Sequence, residues 1–154
     1  MAQAVKTPTA ELLVGIYKNV KMASDTLLDL MPRVKDEKLK NDMTVQISVY
    51  EGFASRAAKL MAEAGARPEE EGMMSKMTSK MSAMMGSMRD GATAHIAEMI
   101  IKGTVSGANE MMRLIRDAEA HSVTGEPMHL AHHLCDYEQK TAEDMKSYLL
   151  GKGE

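Results

Sequence analysis

Residues 73–88 read MMSKMTSKMSAMMGSM, and the spacing of their methionines decides how the chain is expected to fold. Met74, Met77, Met81, Met84 and Met88 recur at steps of three or four, with Met85 beside them, so they share one helical face. Ser75, Lys76, Ser79, Lys80, Ser82 and Ser87 lie largely off that face. The pattern predicts an amphipathic helix over about 68–89, opened by Pro68 and by Glu69, Glu70 and Glu71, anions that suit a helix N-terminus.

Four longer helices are expected around it. The first begins at Pro8 behind Thr7, carries Leu12, Leu13, Ile16, Val20, Leu27 and Leu30 at helical spacing, and ends at Pro32. Asp36 is the expected N-cap of the second, which carries Met43, Ile47, Tyr50, Ala54 and Met61 and stops at Gly65. Asp90-Gly91 breaks the chain before a third helix over about 92–118, rich in Ile, Met, Ala and Gly. HSVTGEP, residues 121–127, reads as a loop, and a fourth helix is expected from Pro127 to about Leu150. β-branched runs and alternating patterns are absent, so no strand is expected. Short joints at Pro32 and Pro68 predict that each helix reverses its predecessor. With the methionine helix set aside, the order is up, down, down, up. The expected fold is all-α: a ferritin-like four-helix bundle in which the methionine helix is an additional crossover, with residues 1–154 forming one domain.

Composition agrees with that size and class. A chain of 154 residues can bury a sizeable core, and 44% hydrophobic with 27% charged residues is ordinary for a soluble domain. With no Trp, one Phe and four Tyr, the core must be filled by Met, Leu, Ile and Ala. A net charge of −3 argues against general nucleic-acid binding. The single Cys135 excludes an intramolecular disulfide and fits a reducing compartment. The opening MAQAVKTPTAELL shows no secretory pattern, and no apolar stretch approaches the ~20 residues needed to span a bilayer. A cytoplasmic protein without membrane contact is expected.

Three phrases carry a family resemblance: YEGFASRAAKLMAEAG (50–65), HIAEMIIKGTVSG (95–107) and DYEQKTAEDMKSYL (136–149). They resemble segments of uncharacterised ferritin-like bundle proteins of anaerobic Gram-positive bacteria, over most of the chain from Leu12 to Leu149. The resemblance implies the ferritin-like fold and implies no activity. Ferritin-like di-iron proteins take a Glu from each of two helices and a Glu-x-x-His pair from each of the other two. Here the first helix has Lys18, Asn19 and Lys21 at its middle and no carboxylate there before Asp25. In the second, Glu51 is followed three residues later by Ala54 instead of His. The Glu-x-x-His pair Glu126–His129 straddles a helix start. A complete di-iron centre is therefore not expected.

Other polar residues are candidates for chemistry. Glu51, His95, Glu98 and Glu138 lie on or beside apolar stripes of three helices, and a buried carboxylate must be paired, hydrogen-bonded or bound to a cation. They read either as a reduced site for a transition metal (Fe, Mn or Zn) or a small ligand, or as an internal hydrogen-bond network fixing helix register. His129 and His133, and likewise His132 and Asp136, stand one turn apart, a spacing that chelates Zn, Ni or Cu if another helix completes the site. The alternative is a polar first turn near the 121–127 loop. The methionine stripe reads as packing against the bundle, as a pliable surface for a protein partner, or as a soft copper(I) site. Gly103 and Gly107 predict a close helix approach or a kink. The function expected is that of a structural or interaction protein, a homodimer holding no metal. The alternative is a metal-binding or oxidoreductase-type ferritin-like protein with an altered carboxylate/histidine site.

Overall fold

Thr7 starts the first helix, α1 (Pro8–Leu30), its Oγ1 accepting the Ala10 N–H at 3.0 Å while Pro8 supplies the first helical residue. The computed structural model of the chain describes residues 7–67 and 92–150. A short 3-10 turn (Met31–Arg33) built around Pro32 follows α1. Asp36 then caps α2 (Glu37–Ala64), its Oδ1 accepting the Leu39 N–H at 2.9 Å. Gly65 closes α2 in the left-handed region at φ 70°, where a side chain is disfavoured. The third helix, α3, spans Thr93–Ala120, and the fourth, α4, spans Glu126–Met145. A final 3-10 turn, Lys146–Tyr148, replaces the last residues of the helix expected to reach Leu150. There Tyr148 Oη donates to Asp42 Oδ2 at 2.5 Å and the ring lies 5.1 Å beneath the Lys38 ammonium, two contacts with α2.

Among the described residues the protein is all-helical, with four helices in an α-bundle. The first helix packs along α2 and α3, α3 packs along α4, and α4 also touches α1 and α2. Each contributes one apolar stripe: Leu13, Ile16 and Val20; Leu39 and Met43; Ile96 and Met111; Leu130 and Leu134, all essentially inaccessible to water. Burying a side chain of that size is worth about 1.5–3 kcal/mol. No helix among the described residues is long and apolar enough to cross a membrane. The expected methionine helix at 68–89 lies outside the described residues.

The buried stripes also contain polar groups. Asn19, Ser24, Gln46, Thr104, Glu138 and Thr141 are all buried. Thr104 donates to the Ile100 carbonyl at 2.8 Å and Gln46 to the Met145 sulfur, while Asn19 and Glu138 come together between α1 and α4.

Candidate functional site

Glu138 is 1% exposed, the only buried carboxyl among the described residues. It sits four residues after Leu134 and three before Thr141, so the helix period itself turns it into the core. Every helix contributes something to its surroundings. From α2, Tyr50 donates its phenol O–H to Oε2 over a long 3.5 Å. From α1, the Asn19 amide lies against the carboxyl and donates from Nδ2 to the Gly107 carbonyl at 3.0 Å. From α3, Gly107 presents bare backbone: a Cβ there would stand 2.6 Å from Oε2. Beside the group on α4, the Tyr137 ring meets Tyr50 edge-on at 5.6 Å between centroids, and Phe53 leans on Tyr137 at 6.0 Å.

Two acceptors in this cluster are buried and lack a hydrogen-bond donor, Glu138 Oε1 and Asn19 Oδ1. Burial pushes the Glu138 carboxyl up to about 8, against the opposing pull of the Tyr50 and Asn19 hydrogen bonds. Tyr50 is pushed above the ordinary tyrosine range by its burial and then by Glu138. Cys135, whose thiol lies 3.7 Å from the Ala108 carbonyl, is raised by burial and by Asp136 and Glu138. A thiol held in its neutral form is a poor nucleophile. One turn from Tyr50, Gln46 donates to the Met145 sulfur at 3.7 Å and leaves its own Oε1 without a partner.

The expectation that Glu51, His95 and Glu138 all point into the bundle needs correction. Only Glu138 does. Glu51 follows Tyr50 by one residue and is turned about 100° away from it, out to solvent. The core line of α2 runs through Met43, Gln46, Tyr50 and Ala57, and Ile47 and Ala54 form its half-buried flank. His95 and Glu98 also face solvent, their side chains about half exposed. They belong to a surface run with Lys102: His95 Nδ1 to Glu98 Oε1 is 4.0 Å and Lys102 Nζ to Glu98 Oε2 is 3.8 Å. That helix is therefore amphipathic. His129, His132, His133 and Asp136 all lie on the exposed side of α4, and no group from another described helix joins them.

Among the described residues, no three His, Cys, Asp or Glu side chains gather closely enough to hold a metal ion. A di-iron centre draws on four carboxylates and two histidines. The donors at the bundle centre are one carboxyl, one amide, one phenol and one backbone carbonyl, which do not fit such a centre.

Tyr50 lies on the expected apolar stripe, and the Gly103–Gly107 pair was expected to mark a close approach or a kink. Gly107 is that approach, whereas Gly103 has nothing within 4 Å. Asn19 and Gln46 were missed, although Asn19 stands three residues after Ile16 and Gln46 three after Met43, both in register with the core. A shallow groove of about 250 Å³ opens between Thr9 and Leu13 on α1, Leu60 and Glu63 on α2, and Glu126 and Pro127 on α4. Its described lining holds two carboxylates, one hydroxyl and no cation. Comparison with protein-family models, with curated proteins and with solved structures finds no match, so the site's chemistry is read from its own residues.

Proposed function

We propose that the chain is a ferritin-like helical-bundle protein of structural or interaction type, without a complete di-iron site. The observation that carries this reading is the content of the bundle centre. Where a di-iron protein of this fold would converge carboxylates and histidines, one carboxyl is enclosed by Tyr50, Asn19 and the Gly107 backbone.

The up-down-down-up order is part of the proposal, and cross-helix contacts support it. Along α1, position 15 lies against Leu114 and position 19 against Gly107, so α1 and α3 run in opposite senses. Along α2, Gln46 meets Met145 and Tyr50 meets Glu138, so α2 and α4 also run in opposite senses. The short links over 31–36 and 121–125 reverse the chain within each pair. In this order α2 and α3 run the same way.

For an interaction role, the support is on the outer side of α3. Val105 and Met112, two turns apart, are 44% and 40% exposed and suit a homodimer or a protein partner.

The test is elemental analysis of full-length protein prepared without a histidine tag and dialysed against chelator. Less than one transition metal per chain is the expected result. Stoichiometric iron, manganese or zinc would replace this reading with the altered-site metalloprotein.

A further inference from the structure

Two unpartnered acceptors on neighbouring side chains in a closed core constrain what else is there. Glu138 Oε1 and Asn19 Oδ1 are both sealed from water, and neither receives a hydrogen bond. An unpaired acceptor in a core is costly, and an unpaired negative charge more so. Among the described residues, the groups that face Glu138 supply no compensating cation. The first helix offers the neutral Asn19; α2 offers the phenol of Tyr50 with neutral Gln46 one turn away; α3 offers the Gly107 backbone; and α4 itself offers Cys135 and Tyr137. Every titratable member of that set is an acid, and among the described residues no Lys, Arg or His acts on the carboxyl. The direct packing of the carboxyl on α3, where even one methyl carbon would collide, favours the smallest possible donor, a proton.

We propose that Glu138 is a neutral carboxylic acid in the folded protein, that its O–H on Oε1 donates to Asn19 Oδ1, and that loss of this proton is a switch that loosens the bundle where all four helices meet. One proton satisfies both orphaned atoms. On Oε1 it turns an unpaired acceptor into a donor, and the unpaired amide oxygen of Asn19 becomes its acceptor. When the proton leaves, the core is left with a carboxylate, compensated among the described residues by Tyr50 and Asn19. An open conformation lets water reach the charge and is favoured accordingly. This inference does not depend on helix order or on the interaction role proposed above.

Cys135, three residues from Glu138 and 5% exposed, reports that opening. The experiment labels Cys135 in the full chain with an aromatic disulfide reagent, in wild-type protein and in Glu138→Gln, from pH 6 to pH 9.5. Dividing the wild-type rate by the variant rate at each pH removes the reagent and thiolate chemistry common to both. The ratio is expected to rise about tenfold per pH unit up to about pH 8 and then level off, the slope of one proton lost on opening. A ratio flat across the range overturns the switch. Infrared spectra of the wild type decide the protonation by themselves, even if Glu138→Gln does not fold. The C=O stretch of a neutral carboxylic acid is expected at pH 6.5 and is lost by pH 9.5. Its absence at pH 6.5 overturns the proposal. So does its loss at pH 6.5 on adding magnesium, manganese or zinc, which would make the centre a cation site.

Discussion

Replacing Gly107 with alanine adds one methyl group at the most crowded point of the bundle. The new Cβ would lie 2.6 Å from Glu138 Oε2 and 3.0 Å from both Cδ and Oε1, about 0.8 Å short of ordinary contact for the nearest atom. A flexible glutamate on the surface would swing aside. Glu138 is 1% exposed, and its Oε2 already stands 3.5 Å from the Tyr50 hydroxyl, so any retreat breaks that bond. Overpacking of this kind costs about 1–3 kcal/mol, and the weakened hydrogen bond about 1 kcal/mol more. Alanine's better helix propensity returns about 1 kcal/mol. The net expectation is a destabilisation of about 1–3 kcal/mol. Gly103→Ala, one turn earlier on the same helix with nothing within 4 Å of its Cβ position, carries only the propensity gain and is expected to stabilise by about 0.5–1 kcal/mol. Urea denaturation of both variants, followed by far-ultraviolet circular dichroism, measures the difference. A Gly107→Ala protein as stable as Gly103→Ala would refute the packing of Glu138 against α3.

The Glu138 carboxyl also sets a pH dependence. Its folded value of about 8 lies above the ordinary 4.5, so the unfolded chain ionises first. The stabilisation is complete below the ordinary value and is lost as pH rises toward about 8, at about 1.4 kcal/mol per unit from this group. Denaturation midpoints from pH 5 to 9 should show that slope in the wild type and not in Glu138→Gln. Asp36→Ala removes the cap on the Leu39 N–H and is expected to cost about 1 kcal/mol by urea denaturation, with the helical content of the folded state unchanged. Leu130→Ala, at a fully buried position, should cost about 2–5 kcal/mol. Leu150→Ala, at 82% exposed, should stay within about 0.5 kcal/mol of wild type, both variants measured by urea denaturation.

The parts of this molecule that sequence foretold are those governed by local chemistry. Pro8 behind Thr7, Asp36 before an apolar run and Gly65 after one each act within a turn of helix, and each does in the structure what its residue type favours. Glu138 was visible because Leu134 and Thr141 bracket it at helical spacing. Glu51 and His95 misled for the opposite reason. Beside Glu51, Ala54 suits a core or a surface and defines a stripe poorly; beside His95, Ile96 is buried, and a step of one residue rotates a side chain by about 100°. Charge along α3 was the better guide: His95, Glu98 and Lys102 interact with one another at steps of three and four on the solvent side. Asn19 was passed over because it was weighed as a missing carboxylate and not as an amide in register with Ile16. The meeting of Asn19, Tyr50, Gly107 and Glu138 depends on tertiary packing of four helices, which no single helical pattern contains.

The central claim is that the centre of this bundle is a neutral, internally satisfied carboxyl and not a metal ligand. Carbon-13 NMR of the Glu138 carboxyl carbon, assigned by comparison with Glu138→Gln, tests it most directly. Spectra are recorded at pH 6.5 with and without zinc, then across an alkaline titration. The predicted result is a protonated carboxyl at pH 6.5, unmoved by zinc, titrating with a midpoint near 8. A carboxylate already ionised at pH 6.5, or a resonance displaced by one equivalent of zinc, would contradict it.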